Sequence, residues 1–98
     1  MLRDSTLRVT RARDIQLRRN NTLNSQLTNE QIDRVCVLAR QDSLLLEQAI
    51  EKLQLSARAY HRILKIARTI SDLDRAEDIN TRHLTEAINY RKLDRALL

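Results

Sequence analysis

Ninety-eight residues contain no glycine. Glycine is the only residue that reaches positive φ without steric cost. Its absence argues against tight hairpin turns, and it removes whole classes of phosphate-gripping device. The Rossmann fingerprint and the glycine-rich phosphate loop both need it, as does the central position of an EF-hand loop. A self-contained nucleotide-hydrolysing enzyme is therefore excluded as a reading. Proline, tryptophan and phenylalanine are also missing, and the aromatic residues are Tyr60 and Tyr90. A chain of this length is one domain, able to bury roughly 60–70% of its unfolded surface around a modest core.

The single cysteine, Cys36, can form no internal disulfide and no thiolate zinc site. It lies in the apolar run Val35-Cys36-Val37-Leu38, which predicts a buried thiol. The start, Met1-Leu2-Arg3-Asp4, has none of the apolar character of a signal peptide, and no run approaches a membrane span. A soluble, cytoplasmic protein with no membrane contact is the expectation.

Charge is unevenly placed. Residues 1–20 carry six arginines against Asp4 and Asp14, while residues 21–98 carry twelve basic and eleven acidic groups toward a net charge of +5. Arg8, Arg11, Arg18 and Arg19 thus make a basic leading helix that suits DNA or the acidic face of a neighbouring subunit. A solvated helix face accounts for the same residues equally well.

Periodicity is helical and no segment alternates as a strand does. The expected fold is all-α, a small bundle of four to five helices in one domain over residues 1–98, with a leading helix in 1–22 and the bundle in 28–95. The first helix runs from about Thr6 to Arg19, with Leu7, Ile15 and Leu17 among its apolar positions. The second starts at Thr28, whose spacing to Gln31 is that of a capping box, and ends near Leu38. The third opens at Asp42 and turns Leu45, Leu46, Ala49, Ile50 and Leu53 inward. The fourth opens at Ser56 and buries Ala59, Ile63, Ile66, Ala67, Ile70 and Leu73. Asp72–Asn80 reads as a solvated acidic connection, after which Thr81 caps a fifth helix facing Leu84, Ala87 and Ile88 inward.

The fourth helix carries the chemistry. Arg58, Arg62 and Lys65 fall on one stripe beside the apolar one. Arg58 stands in the first turn, where unpaired amides and the positive dipole end make a cation locally unfavourable. A docking anion would reverse that, because amides, dipole and guanidinium would then act together. The alternative is a solvated surface arginine. His61 and His83 share no ligand face, and the carboxylates Asp72, Asp74, Glu77 and Asp78 lack calcium-loop spacing, so no metal site is expected. No Ser/His/Asp or Cys/His grouping appears.

The string Leu55-Ser56-Ala57-Arg58-Ala59-Tyr60-His61-Arg62-Ile63-Leu64-Lys65-Ile66-Ala67-Arg68-Thr69-Ile70-Ser71-Asp72-Leu73 resembles the C-terminal domain of magnesium-chelatase-related AAA+ proteins. Ile79, His83-Leu84-Thr85-Glu86-Ala87-Ile88-Asn89-Tyr90-Arg91 and Leu93-Asp94-Arg95 are similar to the end of that domain. The arginine-rich first helix and Asn24-Ser25-Gln26-Leu27 fit its beginning. The likeness is specific over residues 55–95 and weaker before residue 40. It implies the helical lid that follows the nucleotide-binding core of an AAA+ motor, with Met1 lying inside a longer protein. In that family a Ser-x-Arg, here Ser56 and Arg58, supplies the arginine that senses the γ-phosphate of ATP. Arg62 would be a secondary phosphate or interface contact. The implied cofactors are ATP and Mg²⁺ in the full-length protein, and the implied partners are the protein's own AAA+ core, neighbouring subunits of a hexamer, and DNA. Ala57 stands where chelatase subunits usually have proline, which favours a competence-related, DNA-migrating branch over tetrapyrrole metal insertion. The competing expectations are a free-standing basic helical module that binds nucleic acid, with a helix-turn-helix as its form, and a structural oligomerisation domain.

Overall fold

The computed structural model describes the backbone of residues 2–97 and the side chains of residues 7–90. Among them are five α-helices and no strand: α1 (Leu2–Asn20), α2 (Asn29–Val35), α3 (Arg40–Leu53), α4 (Ala57–Leu73) and α5 (Thr81–Leu97), with a 3-10 turn at Asn24–Gln26 between α1 and α2. None of these helices is long and apolar enough to cross a membrane. The expected all-α class is the observed one.

α4 is the central element. Ala59, Ile63, Leu64 and Ala67 are buried along it, and α5 packs against it through Leu84 and Ala87. Leu27, Ile32 and Cys36 from α2 and its approach, with Leu46 of α3, complete the core. The predicted α4 stripe holds at Ala59, Ile63 and Ala67, whereas Ile66, Ile70 and Leu73 are half-buried and Leu64, not expected inside, is buried.

α1 corrects the sequence reading. Leu7 and Leu17 are 51% and 46% exposed; among the described residues of the helix the buried ones are Ala12 and Gln16. At about 100° per residue, positions 7 and 17 flank the face opposite Ala12. Polar groups therefore decide which side of α1 meets α4.

Helix ends show how a glycine-free chain turns. Asn21, Gln54 and Arg75 take left-handed backbone (φ 57°, 52° and 59°). After α3, Leu55 N donates to Ile50 O and Gln54 N to Glu51 O; after α4, Ala76 N donates to Ser71 O and Arg75 N to Asp72 O. Both pairs form the Schellman pattern, with Gln54 and Arg75 at the position where glycine usually stands.

Helix starts divide between expectation and correction. Thr28 caps α2 with the full reciprocal box to Gln31, and α2 ends at Val35, earlier than Leu38. α3 opens two residues before Asp42, with Ala39 at its cap making no side-chain bond. Asp42 is instead buried and accepts from the Thr81 hydroxyl on α5. Each expected cap is thus spent on the other, tying α3 to α5. At α5 the Asn80 amide donates to His83 Nδ1 at 2.9 Å, and Leu84 N to Asn80 O. Asn80 is therefore the cap, and His83 takes the reciprocating role that Glu or Gln has in a capping box.

Candidate functional site

The start of α4 is built by Ser56. Its Oγ accepts from Ala59 N at 3.2 Å, and its carbonyl accepts from Tyr60 N. Ala57 and Arg58 are then the first two helical residues, whose amides point out of the helix with no intrahelical acceptor. Arg58 is exposed and makes no ion pair or hydrogen bond with another described residue. Arg62 follows one turn on, also exposed, and Lys65 reaches sideways to donate to Ser25 O at 3.3 Å. His61 Nδ1 lies 3.2 Å from the Ala57 carbonyl, which can only accept, so that nitrogen carries the proton; Nε2 lies 3.5 Å from Asp33.

These side chains line a groove of about 820 Å³ between α4 and the 3-10 turn, floored by Ile66 and Ile70. No described acidic residue lines it. The stripe Arg58–Arg62–Lys65 expected from spacing is therefore brought together on one surface. Cationic groups over an apolar floor, with free amides at one end, suit a ligand that is anionic at one end and flat or apolar at the other.

A second polar centre escaped the sequence reading. Asp72, expected in a solvated connection, belongs to α4 and is 1% exposed. Arg19 donates to both of its oxygens at 3.0 Å, Asn24 Nδ2 donates at 2.9 Å, and Arg68 lies at 3.1 Å. Asn24, itself buried, also donates from its amide to Gln16 Oε1 at 2.9 Å and from Nδ2 to Thr69 at 3.1 Å. Arg68 is buried too, donating to the Glu77 and Ala76 carbonyls at 3.0 Å. Here a buried carboxylate is stable because almost every lone pair is met. The one local signal was the i,i+4 pair Arg68/Asp72 on the buried side of α4.

The four arginines expected to face outward from α1 are split by this arrangement. Arg19 is turned inward to Asp72, and Arg8 lies 3.6 Å from Asp74 at the end of α4. Arg11 and Arg18 remain exposed. Asp74 also accepts from His83 Nε2 at 2.9 Å and from Arg82 at 2.7 Å. Its carboxyl pKa is lowered from the ordinary value, first by the His83 hydrogen bond and then by Arg82 and Arg8. Because His83 Nδ1 accepts from Asn80, its proton sits on Nε2 and is donated to Asp74. Burial pushes the Cys36 thiol up to about 11 and raises the Tyr60 phenol above its ordinary value. Among the described residues no group of three His, Cys, Asp or Glu side chains could hold a metal ion.

Comparison with known proteins agrees with this architecture. The family described as magnesium chelatase, subunit ChlI C-terminal, matches residues 3–91. Competence protein ComM of Haemophilus influenzae is 46% identical over 90 residues, which is 92% of this chain and 18% of that protein. The YifB proteins of Escherichia coli and Salmonella typhimurium are each 44% identical over 91 residues, 93% of this chain and 18% of theirs. The chain thus spans under a fifth of the length of these relatives and corresponds to a C-terminal domain, not to a catalytic core. The chain belongs to the magnesium chelatase ChlI C-terminal family, on the side of the ComM and YifB proteins.

Proposed function

We propose that this domain is the ATP-sensing lid of an AAA+ motor of the ComM type, with Arg58 as the residue that reads the terminal phosphate. The observation that carries this is the environment of Arg58: an exposed guanidinium without a partner among the described residues, beside the open amides of α4 and above a groove that no described carboxylate lines. Ser56 acts on Arg58 indirectly, because its cap sets where α4 begins and hence where the guanidinium stands. Arg62 offers a second cation one turn further along. The residues fit a polyphosphate; a magnesium ion would be held elsewhere, since the described carboxylates do not converge on this groove. ATP would supply the phosphoanhydride whose cleavage drives the motor. The domain's own part is to add positive charge where negative charge moves, in a cleft that excludes water once the core closes on it.

The full-length protein is then a cytoplasmic, hexameric ATPase that moves DNA, in keeping with competence in the name of its Haemophilus relative. Its own AAA+ core and the neighbouring subunits are the partners of this groove. In the full-length protein Arg58→Ala is expected to lower ATP hydrolysis strongly, on the order of 10³-fold where the arginine acts on the transition state and less where it acts through binding. Arg58→Lys should rescue only in part, because a point charge cannot make the planar two-pronged contact. Arg62→Ala should cost less. Stability of this domain should move by no more than about 0.5 kcal/mol, the control for folding. Wild-type ATPase activity in Arg58→Ala would remove the sensing role.

A further inference from the structure

A second basic groove lies between α1 and the α4–α5 connection and shares no residue with the first. It encloses about 700 Å³, and five of the residues that line it are arginines: Arg11, Arg18, Arg19, Arg68 and Arg75. At its floor Arg19 and Arg68 share a single carboxylate, Asp72. Two guanidiniums on one carboxylate leave a positive charge in excess, and Arg68 is only 4% exposed. At its rim Arg11, Arg18 and Arg75 are exposed, and neither Arg11 nor Arg18 pairs with a described residue. Asp14, Glu77 and Asp78 also line the groove and oppose this charge.

We propose that this groove takes the phosphate backbone of a nucleic-acid strand, with Arg11, Arg18 and Arg75 as the contacting residues and the Arg19–Asp72–Arg68 cluster as a fixed positive floor. Arg11 and Arg18 are two turns apart on one face of α1, about 10 Å along the axis. That matches about three base-pair rises along one strand of a duplex, at 3.4 Å each. An acidic protein face is the less suitable occupant. Protein interfaces are enriched in aromatic anchors at their buried centre, and no aromatic residue is among the described residues that line the groove. The acidic rim keeps binding weak, and the arginine–phosphate contacts make it fall with salt. The site goes beyond the nucleotide-sensing reading and stands or falls separately from it.

The test is fluorescence anisotropy of this chain with labelled single-stranded and duplex DNA 20-mers at 50 and 200 mM salt. With three phosphate contacts, the log–log salt slope on the single strand is about −2, so affinity falls roughly fifteen-fold between those concentrations. Arg11→Gln/Arg18→Gln/Arg75→Gln should weaken binding at least tenfold with the helical circular dichroism signal intact. Gln54 already occupies left-handed backbone in this fold, so Gln is acceptable at position 75. Glu77→Gln/Asp78→Asn should tighten binding several-fold, a gain that misfolding cannot imitate. Arg58→Ala should leave it within twofold of wild type, separating this groove from the first. The assignment is overturned by any of these: no binding at 50 mM salt, wild-type affinity in the triple variant, or a tenfold loss in Arg58→Ala. Equal displacement of the strand by ATP or by poly-glutamate of matched charge would also overturn it, in favour of a nucleotide or an acidic protein.

Discussion

Burial of Cys36 has a direct chemical consequence. With the thiol raised to about 11, roughly one molecule in a thousand carries a thiolate at pH 8. The residue is 4% exposed, so even that fraction meets no reagent. A disulfide-exchange reagent at pH 8 should leave the native protein unlabelled for hours and label it within minutes in urea. Rapid native labelling would show that α2 opens freely. This burial was legible in the apolar run around position 36, and the stripe of Arg58, Arg62 and Lys65 in helical spacing, because both depend only on near neighbours. The environment of Asp72 was not. Its partners Arg19 and Asn24 are 53 and 48 positions away, and the i,i+4 spacing to Arg68 is all that locally separates it from the solvent-facing acids that follow.

At the scale of the element, the helix ends carry the cost of a chain without glycine. A non-glycine residue in left-handed backbone is disfavoured by about 1–2 kcal/mol, and Asn is the side chain that tolerates it best. Gln54 has no such local compensation. Gln54→Gly should therefore stabilise the protein by about 0.5–1 kcal/mol, once the extra freedom of glycine in the unfolded chain is subtracted. The measurement is the urea midpoint, and a lower midpoint would show that the Gln54 side chain contributes more than its backbone costs. Helix starts were legible where the cap is local, as at Thr28 and Ser56. They were illegible at Asp42 and Thr81, whose side chains bond to each other across two helices 39 positions apart.

For the whole molecule, Asp72 joins α1, the 3-10 turn and α4 at a single carboxylate. Asp72→Asn preserves shape but leaves two guanidiniums facing each other in a largely dry place. Breaking a buried pair in this way costs about 3–5 kcal/mol, against a total of roughly 5–15 kcal/mol for a domain of this size. Urea unfolding should show that loss, with a smaller one for Arg19→Ala, since Arg19 is 27% exposed and Arg68 still meets the carboxylate. A change under 1 kcal/mol for Asp72→Asn would mean that the cluster adds nothing net.

The way α1 is attached has a further consequence in time. Ala12 is its only fully buried apolar residue among those described, and Gln16, Arg19 and Arg8 tie it to polar partners. Such contacts can be exchanged for water one by one, whereas the Ile63–Leu64–Ala67 side of α4 cannot be wetted without losing the core. In hydrogen–deuterium exchange the amides of α1 should therefore fall into an earlier-opening unit than those of α4, and added salt should speed α1 alone. The first helix of this domain is, in that sense, a door on ionic hinges, expected to swing open before the core behind it comes apart.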